Sequence, residues 1–425
     1  MIFLIIAVTL ALMIFGFEMF LVLGIPTFLT KAVFFNGIPN VALIQKLVAG
    51  IHHSTLLAIP FFILAAHIMS SGQIANKLTS LIKLAVAHRK GGVGLTAVGS
   101  SMAFGSVSGS APATVAALGK LMYPELLQAG YRKSFSLGLI VSSAETALLI
   151  PPSITLIVYG WMTGTSITEL FVSGLSVGVV LGIAFFLLVL IEGKISNVQN
   201  PQKPAFSEFI AQFKDSVWAL GMPVLILGGI YSGIFTATES AVVSVIYAIF
   251  VESVVYKSLT FKKLFHVAEA SAISTSIIFV LLAFGSMLSF FVTLAQIPTS
   301  ISMWISEIGA SPVLFLFIIN IVFLIAGMFI DPNSALLILV PPLYPVAMSL
   351  GIDPVHFGMI VTFNICIGMI TPPFGLDIFV TSSTLNVPVV DIVKGLWPFI
   401  ILNLLVLGLI TYVPGISVFL PNLIL

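Results

Sequence analysis

The chain has 425 residues, of which 59% are hydrophobic and only 7% charged, with a formal net charge of +1 and a mean hydropathy of +1.22. Ordinary soluble domains carry roughly 25% charged residues, so this composition excludes that class and places the chain in lipid. No Lys/Arg-rich tract or motif for nucleic acid is present, and the single cysteine, Cys366, leaves no disulfide framework and no zinc site.

Apolar stretches near the ~20 residues that cross a bilayer as helix recur along the chain, without the short alternating segments of a β-barrel. The expected class is an all-α polytopic membrane protein. From Met1 to Gly24 no basic residue precedes the apolar run, and the first is Lys31. That segment reads as a retained first span with Glu18 near its end, not as a cleaved signal peptide. Residues 26–53, with Lys31 and Lys46, are either interfacial or part of a further span. Basic clusters then mark a topology: Lys77, Lys83, Arg89 and Lys90; Arg132 and Lys133; Lys194, Lys203 and Lys214; Lys257, Lys262 and Lys263; and Lys394. The positive-inside rule puts each on the cytoplasmic side.

Residues 91–130 lie between the first two clusters and must leave and return on one side, as two short spans or as a re-entrant hairpin. The middle, Phe104 to Pro112 (FGSVSGSAP), is too rich in Gly and Ser for an ordinary outside loop. That favours the hairpin, because irregular backbone at membrane depth is tolerated where protein or a cavity surrounds it. Crossings are then expected near 135–161 and 170–191, as an out-and-back pair near 217–235 and 237–256, and near 270–291. Residues 311–350 have no Lys or Arg on either flank and carry Asp331 and Asn333 centrally, which predicts a second hairpin, entered from outside. A crossing at 357–380 and a last span at 396–420 follow.

A shift of 221 residues superposes Tyr123-Pro124 on Tyr344-Pro345, Gly130 on Gly351, Pro151-Pro152 on Pro372-Pro373 and Gly174-Leu175 on Gly395-Leu396. It also lays Ser110 on Asp331 and Pro112 on Asn333. The five crossings between the hairpins turn the copies upside down relative to each other, so the expected architecture is a pair of inverted structural repeats. Each repeat has a re-entrant hairpin and a Pro-Pro-broken transmembrane helix. The expected units are 1–90 (first spans and scaffold), 91–191 (repeat 1 transport unit), 192–310 (connecting scaffold) and 311–425 (repeat 2 transport unit).

Each repeat thus breaks the backbone twice at depth. Proline removes a helical N–H and frees a carbonyl upstream, while Gly and Ser permit turns and supply oxygens. Such neutral oxygens suit a hard, weakly held cation such as Na+, and the half-helix N-termini beside them favour a carboxylate. The candidate Na+ ligands are Ser106, Ser108, Gly109, Ser110, Glu145 and Thr146 in repeat 1, and Gly327, Asp331, Asn333, Gly368 and Thr371 in repeat 2. The candidate substrate contacts are Ser108, Ser110, Pro151, Pro152, Asn333, Pro372 and Pro373. No catalytic residue and no cofactor is expected besides Na+ as coupling ion.

The plainer alternative is that these Gly, Ser and Pro residues serve close helix packing; four breaks at repeat-related positions weigh against it. Glu145, an ionisable group within a span, is either functional or a carboxylate bonded to freed backbone N–H groups. Lys120 reads as a snorkelling side chain ahead of a counter-charge for a substrate carboxylate, and His67 as a packed or hydrogen-bonded side chain ahead of a proton relay, with Glu18, Glu252 and Glu307 at span ends. A phosphate loop fails because Leu121 follows Gly119-Lys120, and a hydrolase elbow fails because Val107 occupies the nucleophile position of Gly105–Gly109. No histidine is centred opposite Ser108 for an intramembrane protease. An ion or anion channel with re-entrant loops remains as competitor.

At Leu57–Phe62 (LAIPFF), Phe104–Ala111 (FGSVSGSA), Ile150–Ser153 (IPPS), Gly351–Gly358 (GIDPVHFG) and Ile370–Pro373 (ITPP) the sequence resembles the large membrane subunit of tripartite ATP-independent periplasmic (TRAP) transporters, the DctM-like family, over nearly its whole length. The resemblance implies a sodium-driven importer of organic acids such as C4-dicarboxylates, sialic acid or sugar acids in the bacterial inner membrane, not an enzyme. It also implies a small DctQ-like membrane subunit, a periplasmic substrate-binding protein and an elevator-type motion. At Ala144-Glu145-Thr146-Ala147 the chain departs from the glycines more usual in the family.

Overall fold

The computed structural model describes residues 2–196, 198, 203–307, 309 and 311–425; Met1 and the expected unit boundary at 310 lie outside the described residues. The described residues form helices throughout. The first half runs α1 Ile2–Ile14, α2 Met19–Phe34, α3 Asn40–Ala49, α4 Ala58–Ser71, α5 Ile74–Val86, α6 Gly92–Ser108, α7 Ala111–Gln128, α8 Lys133–Ala144, α9 Thr146–Leu149, α10 Ile154–Thr163 and α11 Ile167–Ile195. The second half runs α12 Phe206–Tyr231, α13 Ala237–Phe250, α14 Phe261–Leu294, α15 Ile297–Glu307, α16 Pro312–Phe329, α17 Pro332–Ser349, α18 Pro354–Ile370, α19 Leu376–Leu385, α20 Val389–Tyr412 and α21 Gly415–Ile424. Among the described residues, eight helical segments are long and apolar enough to cross a membrane. This is a multi-pass membrane protein.

Both hairpins are present as packed helix pairs, α6 with α7 and α16 with α17. The 221-residue offset extends much further than its sequence landmarks. It carries α7 onto α17, and it carries α3 with α4 onto α14, α5 onto α15, α6 onto α16, α8 onto the first part of α18, α10 onto α19 and α11 onto α20, to within a few residues. Residues 26–53 are thereby placed: α2 ends at Phe34, and α3 begins the stretch that repeats as α14. In the first copy that stretch is interrupted between Ala49 and Ala58, whereas α14 runs unbroken for 34 residues.

Three expected boundaries shift. The helix begun near 217 starts at Phe206, and its first three turns carry Ser207, Glu208, Gln212, Lys214 and Asp215, so hydropathy alone misses them. The helix expected from 270 starts at Phe261, capped by the Thr260 hydroxyl. The last span ends at Tyr412, not near 420, because Pro414 cannot continue the ladder; α21 follows as a separate short helix.

The copies interlock. Helix α10 packs on α17 and its counterpart α19 on α7, so each hairpin's return arm is held by the broken span of the other copy. Helices α8 and α20 cross where both present glycine: a Cβ on Gly138 would stand 2.2 Å from the Gly395 carbonyl oxygen, and one on Gly395 still closer to the Ser134 carbonyl. Only hydrogen fits there, which is the close packing that small residues permit in membranes. At the end bearing the basic clusters, Arg132 grips Glu192 through two bonds of 2.7 and 2.6 Å, and Lys133 reaches Asp391 of the other copy at 2.7 Å. Tyr131 closes the base of the first hairpin by donating to the Gly91 carbonyl at 2.9 Å.

Candidate functional site

Helix α6 stops at Ser108 because Gly109 turns left-handed at φ +58°. Ser110 then starts α7 as its N-cap, its hydroxyl accepting from the Ala113 N–H at 3.4 Å. Ser108 and Thr114 join hydroxyls across the turn at 3.0 Å, and Thr114 also donates to the Ser110 carbonyl at 2.9 Å. The Ser106 hydroxyl folds back onto the Ala103 carbonyl of its own helix at 2.8 Å.

This tip meets the break in the same copy's span. A Cβ on Gly109 would lie 2.5 Å from the Pro152 carbonyl oxygen, and one on Gly105 2.7 Å from Cα of Ala147. The span itself is interrupted between α9 and α10 by Pro151 and Pro152, joined by a cis bond and both buried. Ser153 restarts it, its hydroxyl accepting from the Leu156 N–H at 3.3 Å while donating to the Leu148 carbonyl at 2.6 Å. The structure therefore brings together Ser108, Gly109, Ser110, Pro151 and Pro152.

The second copy is built alike. Asp331 occupies the N-cap position that Ser110 holds in the first, accepting from the N–H groups of Asn333 and Ser334 at 3.1 and 3.2 Å. Gly327 lies against the break: a Cβ there would approach the Ile365 carbonyl oxygen at 3.0 Å and Cα of Gly368 at 3.1 Å. Phe329, at the end of α16, packs its ring on Phe374 with centroids 5.5 Å apart. Thr371 donates to the Ile367 carbonyl at 2.6 Å. Asn333 Oδ1 and the Ser334 hydroxyl are buried without a protein partner. The copies differ in exposure, since Pro372 is half-buried and Pro373 exposed whereas Pro151 and Pro152 are buried.

Glu145 and Thr146 exchange no hydrogen bond with the tip. Glu145 is fully buried, and its Oε2 accepts from Asn403 Nδ2 of α20 at 2.8 Å. Its partner is thus a side chain of the other copy and not the freed backbone. Thr146 donates to the Ser143 carbonyl at 2.7 Å. Glu145 also lies within electrostatic range of Asp377 in the first turn of α19. Asp377 is fully buried with neither carboxyl oxygen bonded, and Glu145 Oε1 and Asn403 Oδ1 are likewise unpartnered. Sequence reasoning missed Asp377 and Asn403. The signal available for Asp377 was its place four residues after Pro373, at the N-terminus of the restarted half-helix; for Asn403 there was only a lone polar residue in an apolar span.

Other singled-out residues fall as expected or nearly so. Lys120 is exposed, and His67 shares a 2.9 Å bond with the Ser271 hydroxyl. Glu252 does sit at a span end but is fully buried, where its carboxylate accepts from the N–H groups of Gln73 and Ile74 at 2.8 Å and so caps α5.

Comparison with known proteins agrees with this construction. Residues 6–416 match the family model of the "Tripartite ATP-independent periplasmic transporter, DctM component". The chain is 39% identical to the ectoine TRAP transporter large permease protein of Halomonas elongata, over 98% of each protein. It is 38% identical to the C4-dicarboxylate TRAP transporter large permease protein of Pseudomonas aeruginosa, over 89% of this chain and 88% of that one. The crystal structure of the YdaH transporter of Alcanivorax borkumensis aligns with a TM-score of 0.61 at 14% identity, covering 88% of this chain and 87% of that one, a likeness of fold. These relatives are permease subunits, neither enzymes nor channels by name, and the chain belongs to the DctM component family of TRAP transporters as a large permease subunit.

Proposed function

We propose that this subunit couples inward Na+ movement to import of a small organic anion across a bacterial inner membrane. The observation that carries the reading is that in each copy the end of the hairpin's first arm seats on the broken span, Gly105 against Ala147 in the first and Gly327 against Gly368 in the second. These contacts are related by the repeat offset to within one residue, and Gly109 of the first tip also lies against Pro152. Both places gather neutral oxygens beside helix N-termini, so a cation and a carboxylate can share one region.

The donor set fits Na+. In the first copy the hydroxyls of Ser108 and Ser110 and the carbonyls around Gly109 and Pro152 would hold it; in the second, Asn333 and Ser334 offer buried oxygens that nothing in the chain occupies. Bound Na+ supplies the positive charge that draws the substrate carboxylate into a site without a basic side chain among these residues. The odd number of crossings between corresponding elements supports inverted copies, and hence tips approaching from opposite faces. The hairpins and broken spans would then move as a body against the remaining helices, an elevator.

Partners complete the machine: a small membrane subunit and a periplasmic protein that captures substrate, as the family name implies. Relatives named for ectoine and for C4-dicarboxylates support a small organic solute. The reading is tested by reconstituting all three components in vesicles and measuring uptake from a panel of carboxylates under an inward Na+ gradient. Uptake of one panel member that stops when choline replaces Na+ is the expected result; equal uptake in choline rejects the coupling.

A further inference from the structure

A groove between the C-terminal end of α4 and the N-terminal end of α14 lies outside the site just described. It is shallow and open, about 450 Å³ in volume, and its lining includes His67, Ser70, Thr260, Lys262, Lys263 and His266. Two of these side chains are cations and none is a carboxylate; two acids stand at its edge, Glu269 at 3.6 Å from His266 and the buried Glu252, bonded to the Ser258 hydroxyl. Lys263 is anchored by donating to the carbonyls of Ser71 and Ser258, with the buried Glu252 carboxylate on the Ser258 hydroxyl as its near counter-charge, which leaves the exposed Lys262 as the groove's free cation among the described residues. Thr260 caps α14, whose N-terminus adds the positive end of the helix dipole.

Below the groove α14 presents one apolar stripe. Ile273 and Ile277 are one turn apart and stand 7 and 11 residues beyond His266, on the same side of the helix as Lys262 and His266, and each is 58% exposed. The basic cluster marks this end as cytoplasmic, so cations stand at headgroup level and the stripe descends into the acyl region.

We propose that the α4–α14 groove, with the apolar stripe of α14 beneath it, binds an anionic glycerophospholipid of the cytoplasmic leaflet. Its phosphate sits at Lys262, with Lys263 and His266 beside it, and an acyl chain lies along Ile273 and Ile277. A free phosphate would match the charges and leave the stripe unused, whereas a lipid meets both. Basic pockets between membrane helices on this side are suited to such headgroups.

The test is native mass spectrometry of the purified permease with its small subunit, loaded with phosphatidylglycerol or with zwitterionic phosphatidylethanolamine. Preferential retention of phosphatidylglycerol is expected, reduced about fivefold by Lys262→Gln and weakened by Ile273→Ser. Lys262 is exposed and outside the transport machinery, so that variant should fold; the comparison of two lipids on the unaltered protein decides independently of it. Equal retention of both lipids, or a Lys262→Gln protein that holds phosphatidylglycerol unchanged, overturns the proposal. So does displacement by inorganic phosphate alone, which would make the groove a soluble-anion site, or loss of lipid when the small subunit is added to the isolated chain, which would assign the stripe to that subunit.

Discussion

Gly109 and Gly130 both adopt positive φ, +58° and +96°, but only Gly109 faces a neighbour, the Pro152 carbonyl; nothing lies within 4 Å of a Cβ added to Gly130. The pair separates backbone strain from contact. Gly130→Ala should cost about 1–2 kcal/mol of stability, the left-handed penalty, and keep Na+-driven uptake. Gly109→Ala should lose uptake as well, because the tip must move off the break. Thermal unfolding and vesicle uptake of the two variants check this, and a Gly109→Ala protein that transports at full rate would detach the tip from the ion site. Glu145 calls for a different comparison. Asn403→Ala leaves a buried carboxyl without its donor and should destabilise by about 1–3 kcal/mol, whereas Glu145→Gln can keep a bond to Asn403 and should fold while altering the response of uptake to Na+ or pH. Unaltered kinetics from mildly acidic to alkaline pH would assign Glu145 to packing.

At the scale of the element, the repeat makes a substitution that the molecule has already tried. Ser110 and Asp331 cap equivalent helices, so Asp331→Ala should weaken α17 by about 1 kcal/mol and Asp331→Ser should restore most of it. If Asp331 also touches Na+, the Asp331→Ser protein will be stable yet need more Na+ for half-maximal uptake; an unchanged Na+ requirement limits Asp331 to capping. The elements were unevenly legible in sequence. Hairpin tips showed because Gly and Ser are conspicuous in apolar runs, and the broken spans because paired prolines recur at one offset. The full reach of the repeat did not show: α3 and α4 are interrupted where α14 is continuous, and helices held by apolar packing need share no residue types. Nor could Glu145, Asp377 and Asn403 be grouped, because their proximity arises from the crossing of α8 with α20 and the docking of α19, contacts distant in sequence. The repeat counterparts of these residues are Cys366, Leu156 and Gly182, so the cluster breaks the symmetry that guided the search.

The whole molecule is spent on membrane helices, with little chain left between them for a soluble domain to capture substrate. This subunit reconstituted alone should therefore take up substrate far more slowly than with its two partners, and full-rate uptake by the single chain would reject the three-part machine. The central claim is that two inverted copies bring their tips together from opposite faces. Gln128 and Ser349 end the return arms of the two hairpins, are related by the 221-residue offset and are both exposed. The most direct measurement places one cysteine at a time at these positions, on a Cys366→Ala background, in oriented membranes treated from one side with a membrane-impermeant thiol reagent. The account predicts that the cysteine at 128 reacts only from the cytoplasmic side and the cysteine at 349 only from the periplasmic side; labelling of both from the same side would contradict it.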